Sequence, residues 1–207
     1  MERKAAVSLA RAERAALCDL LVEVGPQAPT LCEGWTARDL AVHLVVRERR
    51  PWTARFGGAR ARARAEEVSF EELVAVLRQP PRWSLGGFGW VDRLVNTAEL
   101  FIHHEDVRRA RPQWQARELP RPQQAQLWRA VKPLAKLGLL RFRASVAVEA
   151  PGFGRVRAGR GGPGLRVVGP PSELALFVSG RQRVARQVRV IGPDALAERL
   201  SGADLGW

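Results

Sequence analysis

The chain changes its periodicity once, close to Gly138, and that change restricts its fold more than any other feature. Up to about Leu137 the apolar residues recur at helical spacing, as in helices that bury one face. Beyond it, RFRASVAVEA alternates, with Phe142, Ala144, Val146 and Val148 on one side, as in a strand with one buried face. The expected fold class is therefore mixed: a helical bundle over residues 1–137, followed by a small α+β domain over 138–207.

Within the first part, Val7, Leu9, Ala12, Ala16, Leu17, Leu20, Leu21 and Val24 predict a helix that Gly25-Pro26 ends. Thr36 and Asp39 have the spacing of a capping box, so a second helix is expected from Ala37, interrupted at Pro51 and ended by Gly57-Gly58. Ser69 and Glu72 repeat the box ahead of Phe70, Leu73, Val74, Val76 and Leu77, and Pro80-Pro81 stops that helix. The glycine- and tryptophan-rich run from Arg82 to Trp90 reads as a loop covering a bundle end. A fourth helix is expected from Val91 to Ala110, and a fifth from Pro122 to Leu137 with a break at Pro133. In the second part, the turn at Pro151–Gly154 separates strands, RVRAG and GLRVVG are further strands, and Ser172 opens a helix that Gly180 closes. QVRVI is a fourth strand, and a last helix runs from Pro193 to Leu200.

The net charge of +13 invites a nucleic-acid partner. Lysine occurs only at Lys4, Lys132 and Lys136, however, and arginine is spread through every segment with no recognition motif to focus it. The densest cluster, Arg60, Arg62 and Arg64, reads as a solvated face. No run of 18 apolar residues occurs and the N-terminus lacks a leader-like apolar segment, which gives a cytoplasmic reading with no membrane partner. Cys18 and Cys32 fit neither a C-x-x-C site nor a disulfide framework and are read as free thiols.

The chain has three histidines, and two of them stand in NTAELFIHHED, Asn96 to Asp106. Glu99 and His103 are four residues apart and share one helix face, with Asn96 a turn earlier. The third, His43, lies in the apolar helical run LAVHLVV, where an imidazole needs a partner. Two histidines and a glutamate, with a further position for water or substrate, form a common metal set, and facing helices of a bundle can bring them together. The residues alone leave two readings: a metal site, or core histidines satisfied otherwise beside a surface Glu99. Asn96 is placed to hydrogen-bond Glu99 or line the pocket. His104 points about 100° away from His103 around a helix and ranks below it, as an outer residue of the site. Glu105 and Asp106 are expected to pair with Arg108, Arg109 or Arg47.

GWTARDLAVHL (Gly34–Leu44) and NTAELFIHHEDVRRA (Asn96–Ala110) together resemble the metal-binding domain of the mycothiol-dependent maleylpyruvate isomerase family, within the DinB-like superfamily. The resemblance covers about the first 110 residues, and the tail is similar to the sterol-carrier-like unit that accompanies many members. It implies a DinB-like four-helix bundle that holds a divalent metal, usually zinc, through His43, Glu99 and His103. It further implies a cofactor thiol, mycothiol, activated by the metal to add to an electrophilic substrate or displace a leaving group, as an isomerase or S-transferase-like enzyme does. An arginine of the C-terminal domain serves catalysis in the family, and Arg181 is the candidate here for a substrate carboxylate. The EDVRRA ending resembles an actinobacterial metal-binding branch without a settled activity. A non-catalytic metal-binding or regulatory protein therefore stands as an alternative, and a basic nucleic-acid-binding protein as a weaker one.

Overall fold

The computed structural model describes residues 8–49, 63, 65–79, 90–161 and 164–205. The expectations placed at Pro51, Gly57-Gly58, Pro80-Pro81, the Arg60–Arg64 cluster and the segment 82–89 lie outside these residues. The chain forms two compact units, Met1–Gln115 and Ala116–Trp207.

The first unit contains helices α1 (Leu9–Val24), α2 (Ala37–Arg49), α3 (Phe70–Arg78) and α4 (Trp90–Arg109). Both capping boxes form. The Thr36 backbone N–H donates to the Asp39 carboxylate at 2.9 Å, and the Asp39 N–H returns to the Thr36 hydroxyl at 3.3 Å. Ser69 and Glu72 make the same exchange at the start of α3, satisfying N–H groups that the first helical turn leaves without partners. Helix α1 packs on α4 and α3, and α2 packs on α3. Leu17, Leu21, Leu40, Leu44, Leu73, Leu77 and Leu100 fill the space between them.

Of the apolar stripe expected for α1, Leu9, Leu17, Leu20 and Leu21 are buried, Ala12, Ala16 and Val24 are half-buried and Val7 lies outside the described residues, while the buried face also includes Glu13 and Arg14. The Arg14 guanidinium donates to both Glu48 oxygens at 2.6 and 2.7 Å and to the Leu77 carbonyl at 2.8 Å, so one side chain ties α1 to α2 and α3.

The second unit begins with α5 (Arg121–Gly138), whose sequence belongs to the helical part by pattern but whose packing belongs here, on β2 (Gly154–Gly159) and α6 (Pro171–Val178). The change of pattern at Gly138 thus marks the end of a helix, and the compact units part before it. Helix α5 also runs unbroken through Pro133, contrary to the expected break. Pro133 and Arg129, whose carbonyl loses its intrahelical donor, are both exposed, so water can take that carbonyl.

Strands β1 (Ser145–Ala150), β2, β3 (Gly164–Val168) and β4 (Arg189–Ile191) form one sheet in the order β2-β1-β3-β4. The β1–β2 and β3–β4 pairs are antiparallel, and β1–β3 is parallel, with Val146 beside Leu165 and Val148 beside Val167. Phe142, Ala144, Val146, Val148 and Ala150 are all buried, so the alternation read in the sequence is the inner face of this sheet. Gly180, at φ +89°, closes α6: its N–H reaches the Phe177 carbonyl and that of Arg181 the Leu176 carbonyl, the paired bonds of a Schellman cap. Helix α7 (Asp194–Ser201) completes the unit, giving an α+β architecture over the described residues.

Candidate metal centre

Helix α4 is buried on every side from Thr97 to Val107. A helix so enclosed is ordinarily apolar, yet this one carries Glu99, His103, His104, Glu105 and Asp106. Each of them meets a neighbour. Glu105 accepts from Arg108 and Arg109 on its own helix, as the sequence predicts. His104 turns toward α1, where its Nδ1 lies 2.7 Å from a Glu13 oxygen.

Glu99 and His103 share the face expected of their spacing, and α2 brings His43 against them. The His43 and His103 rings meet edge to face with centroids 5.3 Å apart, and the Trp35 ring lies 5.0 Å from His43. One donor atom from each of His43, Glu99 and His103 lies within 4.8 Å of the others. Glu99 Oε2 is 3.3 Å from His103 Nε2 and 3.5 Å from Arg47 Nε. Glu99 is 7% exposed, so the reading of it as a surface residue does not hold. Asn96 is half-buried one turn before it.

The other edge of His103 is held by Asp106, whose Oδ2 is 2.9 Å from Nδ1. The arginine pairing expected for Asp106 did not foresee this partner. The same carboxylate oxygen accepts from the Cys32 thiol at 3.3 Å, and the Leu31 N–H donates to the Asp106 backbone carbonyl at 3.1 Å, pinning the α1–α2 loop to α4. Asp106 follows His103 by three residues and so was findable on the helical face. Cys32 was not, because it reaches the cluster from a loop with no periodicity to read.

Burial alone would push the Glu99 carboxyl up, but the hydrogen bond from His103 and the charges of Arg47, His103 and His43 outweigh it and hold the group at about 2. Burial likewise favours a neutral His103, yet hydrogen bonds to Asp106, Cys32 and Glu99 and the Asp106 charge raise it well above 6.5. The metal-free cluster is therefore an imidazolium between two carboxylates. Its donors fit a divalent cation: two imidazoles, one carboxylate, and a carboxylate behind one imidazole that leaves Nε2 as the coordinating nitrogen. Arg181 lies in the second unit, where its guanidinium donates to the Ser179 carbonyl.

The fold of this chain, helices followed by a small α+β unit, has solved examples. The crystal structure of the mycothiol-dependent maleylpyruvate isomerase superposes with a TM-score of 0.59 at 16% identity, over 88% of this chain and 90% of that one. A histidine-to-alanine mutant of the mycothiol-dependent maleylpyruvate isomerase superposes at 0.58, with the same identity and coverage. The chain thus shares its fold with these structures. No family model and no curated protein sequence matches it.

Proposed function

We propose that His43, Glu99 and His103 hold a divalent cation, zinc by preference, and that the centre serves a thiol-dependent isomerase or S-transferase-like enzyme using mycothiol. The observation that carries this reading is the meeting of these three donors within 4.8 Å of one another, drawn from two helices. The shared fold supports it, since the solved structures of that fold are of a mycothiol-dependent isomerase.

When bound, the cation would lower the pKa of a coordinated thiol so that thiolate is present at neutral pH. The protein's part is to supply neutral imidazole nitrogens from His43 and His103 and one anionic oxygen from Glu99. Asp106 fixes the His103 tautomer and ring, Arg47 helps keep Glu99 ionised, and Trp35 lies tilted against His43. Asn96 and His104 are assigned outer positions, and Arg181 the substrate carboxylate. The first four helices are assigned to a DinB-like bundle, the tail to a sterol-carrier-like domain, and the chain to the actinobacterial metal-binding branch. Among the described residues no helix is long and apolar enough to cross a membrane, and we place the protein in the cytoplasm.

A metal centre without catalysis is the second reading, favoured by burial: Glu99 and His103 are each 7% exposed, and an ion so enclosed could stabilise the bundle without meeting a substrate. The deciding experiment is metal content of protein purified without a histidine tag. Wild type should carry about one equivalent more than folded Glu99→Ala, and equal metal in both would sink the site. Turnover of an electrophilic substrate with added mycothiol, absent in His43→Ala, then separates an enzyme from a binding protein.

A further inference from the structure

The Nδ1 edge of His103 faces a second group of metal-type donors that the proposed activity uses only to orient the ring. Cys32, Asp106 and His103 each offer a donor atom within 4.8 Å of the other two. We propose that Cys32, Asp106 and His103 Nδ1 form a second cation site, for a thiophilic ion such as zinc, cadmium or cobalt(II), with His103 bridging it to the His43–Glu99 position.

Four observations carry this. Donors held at ~2.0–2.3 Å around a tetrahedral cation stand roughly 3.3–3.5 Å apart. Asp106 Oδ2 is already 2.9 Å from His103 Nδ1 and 3.3 Å from Cys32 Sγ, so small adjustments admit an ion. Second, sulfur makes this group chemically distinct from the nitrogen and oxygen set beside it, and softer ions prefer it. Third, the loop is preset: Leu31 bonds to the Asp106 carbonyl, and the Thr30 hydroxyl accepts from the Cys32 N–H at 3.1 Å while donating to the Trp35 carbonyl at 2.9 Å. Fourth, charge closes. A Cys32 thiolate and the Asp106 carboxylate bring two negative charges to one divalent cation, the compensation that a buried ion requires. Binding displaces the thiol proton and the Nδ1 proton to solvent, and Cys32, half-buried, leaves an entry path.

The full-length metal-free protein titrated with cobalt(II) tests this independently of the first site. Two equivalents are expected, one of them with a near-ultraviolet sulfur-to-cobalt charge-transfer band. Cys32→Ser should lose that band and one equivalent, whereas His43→Ala should lose the other equivalent and keep the band. A wild type that shows no such band, or a band that Cys32→Ser leaves unchanged, overturns the second site. Loss of the His43-dependent equivalent alone would instead count against the function proposed above.

Alkylation gives a readout that does not need Cys32 to be replaced. Cys18 is enclosed in the core, and burial pushes its thiol up to about 11, so a maleimide reports on Cys32. In His43→Ala protein, zinc should slow Cys32 alkylation about tenfold or more, because a coordinated thiolate is withdrawn from reaction. An unchanged rate overturns the proposal.

Discussion

His103 is the residue on which the centre turns, since one nitrogen faces Glu99 and His43 and the other faces Asp106. Asp106→Asn keeps an acceptor for Nδ1 but removes its charge, and should weaken metal binding about 10–100-fold in chelator competition, as loss of such outer partners typically does. The metal-free protein should also show a pH signature. Glu99, lowered from 4.5 to about 2, contributes stability that is present above 4.5 and lost as pH falls toward 2. His103, raised above 6.5, contributes stability that is full below 6.5 and lost as pH rises through its folded value. Metal-free protein should therefore gain most from this pair between about 4.5 and 6.5, and Glu99→Gln should flatten the acid limb of urea-denaturation stability against pH. Metal affinity should rise with pH across neutrality, because the ion takes the place of the Nε2 proton. The three donors were legible because two share a helix face and the third interrupts an apolar run. Cys32 was not, since a loop residue is placed by the chain's return path.

At the level of the helices, their starts were written in short polar motifs. Thr36–Asp39 and Ser69–Glu72 place α2 and α3 to the residue, because capping satisfies particular N–H groups and tolerates few side chains. The burial of Arg14 was hidden by composition: in a chain with arginine in every segment, nothing local separates a clamp from a solvated face. That clamp joins three helices, so Arg14→Leu should cost about 3–5 kcal/mol in urea denaturation by stranding Glu48. Replacing Glu48 by leucine as well should recover much of the loss, since a paired charge removed from both sides leaves no orphan. Pro133 misled for a related reason, as the sequence shows the missing donor but not the exposure that leaves the Arg129 carbonyl open to solvent.

Across the whole molecule, periodicity told helix from strand and thereby the α+β class, but not which neighbours a helix chooses. Helix α5 has the pattern of the first part and the packing of the second, so the compact units divide before it. The donors of the centre all belong to the first unit, and its metal should stabilise that unit selectively. Zinc at a thousandfold excess over its dissociation constant would contribute about 4 kcal/mol. Hydrogen exchange should accordingly slow in α2 and α4 on adding zinc to metal-free protein, with amides of β1–β4 unchanged. Equal slowing in both units would show that the effect is not local to the bundle.

The enclosed, charged length of α4 has a consequence for how the sequence can drift. Three of its polar side chains also meet residues far away along the chain, Glu13 for His104, Arg47 for Glu99 and Cys32 for Asp106, so a change at either end removes a contact between distant segments. In natural relatives positions 13 and 104 should therefore vary together, while Glu99, tied to the metal, is kept and the leucines around them vary singly.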